Sequence, residues 1–441
     1  MSGKQHSPAP VAGSLGPPAA RYASLQVLAL HLLLLAGITS ALYCFGIIQY
    51  LPSGATLRNW DVIWYEQIKQ SGYSYAPEGI SNVAFFPLFP YLWRYSGLGL
   101  LGISLVNAVV FLGSATWLAR QLALPARLQL LLLSTPVLLF MVVPYSEALF
   151  FAFGALLLVG LRQRRLGWWL VGLLGCGLTR SASTLFMPAL GLMVLLWAGQ
   201  PGQRRPALRW GALAVLVLAL SVGVVALMQW QQTGEPWGFV KVKHAWGQFF
   251  RLPTLPLSDP SGIDMVWIDG LGVWVGVAAA VLCGWRLWQE IGRWRGRPSP
   301  PPLPLEVLFS LGYCASAGLF LLLFQGGSIW NAGRYLLTTP FVVVLLGYLA
   351  TQPAWPWRRY AALAGATLLF WQVFGAYTLQ FDNFTTPQAL WYFGLLTVYL
   401  LLYLAWRQLR WQGEVTMLLY TVNMVLLLHL LDSLLKGYKV Q

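Results

Sequence analysis

Asp61 stands in the segment RNWDVIWYEQIKQSGY, residues 58–73, a carboxylate set among tryptophans and tyrosines. Trp60, Ile63, Trp64 and Ile68 recur at i, i+3, i+4 and i+8, a spacing that predicts one apolar face of a short helix. Such a helix would lie in a membrane interface with its tryptophans at headgroup level, and Gly72 would end it. Asp61 then falls at the helix N-terminus, where the macrodipole favours negative charge. One reading makes it a plain N-cap. The other follows from AFFPLFPYLWR, residues 84–94, which returns the chain to the membrane through two prolines and fixes the carboxylate between two interfacial elements. A carboxylate held there is suited to take a proton from an acceptor hydroxyl as a general base.

Four further places carry charge where charge is costly. Glu147 follows Pro144 and Tyr145 at the start of an apolar run, either as an ordinary first-turn acid or as a boundary carboxylate that needs a partner. Arg180 splits the apolar stretch 167–198 and calls for a counter-ion, a wet cavity or an anionic ligand, with Gly175 and Gly177 letting the helix break before it. Lys241, Lys243 and His244 lie between Trp237 and Trp246, which suits headgroup anchoring or the stabilisation of a leaving phosphate. Arg334, in NAGRYLLTTP, opens a helix after the Gly-rich turn 326–331; a cation there opposes the dipole, so an anionic partner is expected.

The elements that must position these residues are membrane helices. Of 441 residues 58% are hydrophobic and 9% charged, against about a quarter charged in an ordinary soluble domain. The net charge of +15 does not mark a nucleic-acid binder, because the basic residues cap apolar runs instead of sharing one polar face. The four cysteines and four histidines are scattered without metal-ligand spacing, so no metal and no cofactor is expected. A GxxxxGK[ST] phosphate loop, a strand-turn-helix GxGxxG, HExxH and GxSxG are absent from the sequence.

Thirteen apolar runs fall near 24–50, 98–120, 128–143, 147–161, 167–179, 181–198, 209–230, 270–287, 304–324, 334–351, 360–380, 389–406 and 414–435, several of them too short to span untilted. The expected fold is therefore an all-α polytopic membrane protein of about 11–13 transmembrane helices, with interfacial helices in the first outer loop. A disordered tail over 1–22 precedes one membrane domain over 23–441, whose first helix is too long for a cleaved signal peptide. With a cytoplasmic N-terminus, eighteen of the 28 cations fall inside, among them Arg162, Arg164, Arg165, Arg204, Arg205, Arg407 and Arg410. The long connections 51–97 and 231–269 then lie outside, where ten of the 13 acids also fall.

The block WDVIWYEQIKQSGY followed by AFFPLFP resembles the signature of the GPI mannosyltransferase 2 (PIG-V) family, including its bacterial members. PYSEALF (144–150), LTRSAS (178–183), TGEPWGFVKVKHAWG (233–247) and GRYLLTTP (333–340) are similar to that family's later blocks, in the same order. The resemblance implies a GT-C type bundle and an inverting hexosyltransferase using polyprenyl-phosphate mannose, with a lipid-linked or glycan acceptor on the outer or lumenal face. It implies Asp61 as the catalytic base, with Arg180, Arg334, Lys241, Lys243, His244, Glu147 and Tyr65 binding the donor phosphate or substrate. The chain departs from the family at Lys69, Ala182 and Ser183, where the family tends to have Ala, Asn and Gly, and the loss of the Asn bears on the sugar contacts. A bacterial plasma membrane is the expected location, or the endoplasmic reticulum membrane in a eukaryote, and Asn383–Thr385 forms a sequon on the outer side. A transporter or flippase of a lipid-linked saccharide is the rival reading, and acids buried at mid-membrane would favour it. A non-catalytic membrane subunit is a third, and it leaves Asp61 without a reason.

Overall fold

The computed structural model describes residues 18–254, 257–261, 263–296, 301–375, 385–405, 408–438 and 440. The sequon residue Asn383 and Arg407 lie outside them, as does the expected tail up to residue 17. The helices run, in order, α1 (Pro18–Cys44), α2 (Asp61–Ser71), α3 (Leu88–Ser96), α4 (Leu100–Gln121), α5 (Ala126–Leu133) and α6 (Glu147–Arg162). They continue with α7 (Leu166–Thr179), α8 (Phe186–Ala198), α9 (Arg204–Thr233), α10 (Gly238–Ala245), α11 (Ile263–Trp294) and α12 (Leu305–Phe324). The last are α13 (Ala332–Leu336), α14 (Pro340–Thr351), α15 (Trp357–Gly375), α16 (Thr386–Ala405) and α17 (Gln412–Leu435). Among the described residues no strand forms, and one parallel bridge joins Ser258 to Ser328.

The chain is an all-α polytopic membrane protein. Six helices among the described residues are long and apolar enough to cross a membrane: Ser24–Cys44, Leu100–Gln121, Arg204–Thr233, Met265–Arg293, Leu305–Phe324 and Gln412–Leu435. Shorter apolar helices among the described residues include Leu166–Thr179, Phe186–Ala198 and Pro340–Thr351. At 1.5 Å per residue, the 14 residues of α7 reach about 21 Å and the 12 of α14 about 18 Å, short of a bilayer core of about 30 Å. The run 128–143 departs most from expectation, because Pro136 follows the end of α5 and the chain continues as a 3-10 turn over Pro136–Met141. Helix α1 begins at Pro18, inside the segment expected as tail.

Two tight packings fix the frame around the site. Helices α6 and α7 form a hairpin in which a Cβ on Gly160 would come within 2.5 Å of the Trp169 backbone nitrogen, and one on Gly172 within 2.5 Å of that of Leu157. Small residues allow this approach, as is common between membrane helices. Gly175 also serves packing, since a Cβ there would clash with the Phe153 ring, and the helix runs through both Gly175 and Gly177 to stop at Arg180, whose backbone is extended. Helices α11 and α12 meet as closely, with a Cβ on Gly276 falling 2.6 Å from the Gly318 Cα. The largest buried cluster fills the space among α6, α7, α8, α9, α11, α12 and α14, with Phe150, Trp169, Phe186, Tyr313 and Phe341 at its centre.

At the opposite ends of α6 and α12 from the site, Arg162 pairs with Glu306 at 3.1 Å, and Arg293 pairs with Glu290 while donating to the Gly199 carbonyl. These form two separate pairs, and Glu147, Asp269 and Arg334 are buried at the other end.

Candidate active site

Helix α2 is shaped by what it buries. Val62, Tyr65 and Ile68 face inward, whereas Ile63 is half exposed and Trp60 and Trp64 are partly covered. The buried stripe thus differs from the expected Trp60/Ile63/Trp64/Ile68 face, because the helix packs against α3 and the 82–84 turn with the Tyr65 side. Gly72 ends the helix as expected. Its φ is 84°, and a Cβ there would meet the Gln232 side chain of α9 at 2.5 Å, while Tyr73 N donates to that side chain at 2.7 Å. Asp61 is the first helical residue and not the cap, which is Trp60 at φ 54° without a side-chain capping bond to the helix. Its carboxylate is therefore free to reach across the fold.

It reaches Arg334. Arg334 Nη1 donates to Asp61 Oδ2 at 2.6 Å, and Arg334 Nε donates to Glu147 Oε1. The same Glu147 oxygen receives Arg180 Nη1 at 2.8 Å. Four charges from four distant parts of the sequence thus make one chain in the order Asp61, Arg334, Glu147, Arg180. Among the described residues two carboxylates face two guanidiniums in it, and pairing of this kind is how charge survives burial. The middle members are nearly sealed, Glu147 at 0% and Arg334 at 7% side-chain exposure, whereas the ends open slightly, Asp61 at 18% and Arg180 at 12%. The chain has an acidic pole at Asp61 and a basic pole at Arg180.

Each member is held by its own element. Glu147 opens α6 just after a turn pinned by Asn107 of α4, whose Nδ2 donates to the carbonyls of Val143 at 2.7 Å and Tyr145 at 2.8 Å. Ser104, also on α4, donates to Val142 O. Arg180 sits where α7 stops, its guanidinium 5.2 Å from the Tyr335 ring centre and 5.8 Å from that of Phe150. Arg334 lies on the five-residue helix α13, behind a reversal in which Gly326, Gly327 and Asn331 have positive φ. That reversal is held by Asp269 of α11, which accepts Gly333 N at 2.7 Å and Asn331 N at 3.3 Å. The Arg334 guanidinium also stands 4.5 Å from the Tyr145 ring and 5.4 Å from that of Phe140. Tyr65 joins from α2, its hydroxyl donating to Ser146 Oγ at 2.8 Å.

Asp61, Tyr65, Glu147, Arg180 and Arg334 are therefore brought together, and the cations of the second outer loop are not. Lys241 Nζ donates to Glu235 Oε2 at 2.6 Å, which raises the lysine above its usual range and holds the Glu235 carboxyl below its own. Lys243 lies 5.7 Å from the Phe320 ring centre, its ammonium pushed down by burial, and His244 stacks on Phe249 at 5.1 Å. The reason is the docking of α10, whose flanking Trp246 packs edge-on to Trp64 and Phe85. Tyr145, Tyr335 and Asp269 were not among the expected site residues. Tyr145 and Tyr335 could have been found by their adjacency to Glu147 and Arg334, whereas Asp269 carries no local signal.

An apolar cleft of about 1230 Å³, its open mouth included, is lined in part by residues of α11 and by Leu337, just after α13. Trp267, Ile268 and Leu337 line one end, next in sequence to Asp269 and close to Arg334, and Leu124, Leu346 and Leu404 line the far end. Tyr399 and Tyr403 are also on its wall, tied through Asn423 to Ser134. Among the described residues no group of three or more His, Cys, Asp or Glu side chains is arranged to hold a metal ion.

No family model matches the chain, and no solved structure matches it. NADH-quinone oxidoreductase subunit M of Mycobacterium tuberculosis, from strains CDC 1551 / Oshkosh and ATCC 25618 / H37Rv, is in both cases 31% identical over 129 residues. That stretch is 27% of this chain and spans about a fifth (22%) of the length of those relatives. The likeness is to a fragment, and what the relatives' name says they do is said of them alone. Together with the apolar helices it supports an integral, multi-pass membrane protein.

Proposed function

We propose that this chain is a membrane glycosyltransferase that moves a hexose from a polyprenyl-phosphate sugar to a hydroxyl of a lipid-linked or glycan acceptor, inverting the anomeric centre. The observation that carries the reading is the ion chain Asp61–Arg334–Glu147–Arg180, with its acidic and basic poles slightly open at one end of the bundle. In the proposed step the acceptor oxygen bonds to sugar C1 as the bond from C1 to the phosphate oxygen breaks. The hydroxyl proton goes to Asp61, and the electron pair leaves with the lipid phosphate. Arg180, with one nitrogen on Glu147, is the guanidinium best able to meet that phosphate. Arg334, bound to two carboxylates, orients Asp61 and Glu147 instead. The apolar cleft suits the prenyl tail of the donor. Mannose as the sugar and the outer face of a bacterial plasma membrane as the place rest on the resemblance of the Asp61, Glu147, Arg180 and Arg334 blocks.

The position of the acids supports a transferase over a transporter. Glu147, Asp269, Glu290, Glu306, Glu414 and Asp432 all stand within the first or last two turns of their helices, and not at mid-span. The test is transfer of radiolabelled hexose from a polyprenyl-phosphate donor by purified protein in lipid vesicles. Label moved by the wild type and not by Asp61→Asn supports the reading. Saccharide flipping without transfer, by both proteins, replaces it with the transport reading.

A further inference from the structure

The connection after α9 carries a basic, aromatic surface that the proposed reaction does not use. Helix α10 has two unlike faces. Phe239 and Val242 are buried, the first edge-on to Phe86 at 5.6 Å and the second in a cluster with Ile68 of α2 and Val83. Gln229 of α9 fixes this docking, accepting Phe239 N at 3.0 Å and donating to Val83 O at 2.8 Å. Trp237, Val240, Lys241 and His244 follow one another at helical spacing on the opposite face, and all four are exposed. Beyond Gly247, at φ 72°, the chain presents Phe249, Phe250, Arg251 and Leu252, with Phe250 at 66% and Leu252 at 75% exposure. Phe249 joins the two stretches, its ring stacked on His244 at 5.1 Å and 4.5 Å from the Arg251 guanidinium.

The depth of this surface points to its partner. Trp230, also exposed, stands on the last turn of α9. Phe249 N and Arg251 N donate to the carbonyls of Phe324 and Leu323, the last two residues of α12, at 3.1 and 2.8 Å. Both α9 and α12 are long and apolar enough to cross a membrane, so the surface lies where two such segments end, the level of lipid headgroups. Charge decides which lipid. Residues 230–254 hold three cations and one acid, besides His244, and that acid, Glu235, pairs with Lys241 at 2.6 Å. A zwitterionic surface suits the aromatic residues and leaves the excess of cations without a counter-charge, whereas anionic headgroups meet both. We infer that α10 and residues 249–252 form an in-plane anchor seated on anionic lipid headgroups. Trp246 packs edge-on to Trp64 of α2, so the anchor stands at the same end of the bundle as Asp61. The inference stands apart from the glycosyltransferase reading and does not depend on it.

The test reads depth at one position of the full chain. Val240→Cys carries a nitroxide in a Cys44→Ser background, since Cys44 is exposed and the other three cysteines are buried. The protein is reconstituted in phosphatidylcholine vesicles with increasing phosphatidylglycerol. A label at Leu216→Cys, exposed midway along α9, is the control for insertion and should be immersed in every vesicle. Phosphatidylglycerol should move the Val240 label out of reach of a water-soluble nickel chelate and into reach of dissolved oxygen. Lys241→Gln and Arg251→Gln should each weaken the apparent affinity for phosphatidylglycerol about fivefold, the equivalent of about 1 kcal/mol per cation at an anionic surface. A Val240 label open to the chelate in all vesicles overturns the inference. Equal immersion with and without phosphatidylglycerol, or unchanged affinity in both charge variants, replaces it with a plain apolar anchor. Spin–spin broadening at Val240 that vanishes on dilution with unlabelled protein assigns the face to a second copy of the chain instead.

Discussion

Glu147→Gln is the substitution whose effect the geometry fixes most closely. The wild-type chain balances two carboxylates against two guanidiniums, with Arg180 Nη1 at 2.8 Å from Glu147 Oε1 and Arg334 Nε on the same oxygen. The amide keeps the shape but removes one negative charge, so among the described residues one carboxylate is left against two guanidiniums. At an effective dielectric constant of about 20, a unit pair at this separation attracts by about 6 kcal/mol before desolvation is counted. Removing one partner from a buried pair has a net cost of about 3–5 kcal/mol, and this is the expected loss here. With an unfolding entropy of about 2.1 cal/mol/K per residue, that lowers the melting midpoint of a 441-residue chain by about 3–5 °C. The 23 tryptophans give the fluorescence signal, followed in detergent on heating. Adding Arg180→Met to Glu147→Gln restores the balance and should recover part of the loss. A single variant melting within about 1 °C of wild type, or a double variant whose losses simply add, would refute the charge-balance argument.

Three further outcomes follow from the same geometry. Arg180→Ala should raise the KM for a prenyl-phosphate sugar donor at least about tenfold and leave the acceptor KM within about twofold, since a charged hydrogen bond is worth about 1.5–3 kcal/mol; equal effects on both would make Arg180 a structural residue. Asp269→Ala should cost about 2–4 kcal/mol by orphaning the Asn331 and Gly333 amides, seen as a lower midpoint with loss of activity; Asp269→Asn, which keeps an acceptor, should fall between. Gly160→Leu should abolish the monodisperse peak on fluorescence-detected size exclusion, because its side chain meets the Trp169 backbone, whereas Gly113→Leu on α4, with nothing within 4 Å, should elute like wild type.

Much of this was legible in the sequence for physical reasons. A charge inside an apolar run must be paired, so Glu147, Arg180 and Arg334 each announced a partner, and all three found one in the same cluster. What the spacing left open was which charges pair. Arg334 was expected to meet an anion, and the anions are Asp61 and Glu147 of this chain. On α2 a period of 3.6 fits both Trp60/Ile63/Trp64 and Val62/Tyr65/Ile68, and the contacts of Tyr65 with Phe85, Phe89 and Ser146 make the second the side buried against the protein, while Ile63 of the first stays exposed. A helix end was missed at Pro136, where a proline halts a run whose composition stays apolar, whereas the stop before Arg180 falls where the runs 167–179 and 181–198 meet. Asp269 was invisible as a positioning residue, since its role is to catch backbone amides 62 and 64 residues away.

The central claim is that Asp61 takes the acceptor proton at one pole of a buried ion chain. Its most direct measurement is sugar transfer by wild type and Asp61→Asn, reconstituted in the same vesicles with a labelled polyprenyl-phosphate hexose and a host lipid extract, and matched for melting midpoint. The account predicts label in an acceptor lipid or glycan with wild type, and a fall of at least about a hundredfold with the folded variant. Transfer by Asp61→Asn at near the wild-type rate would contradict it.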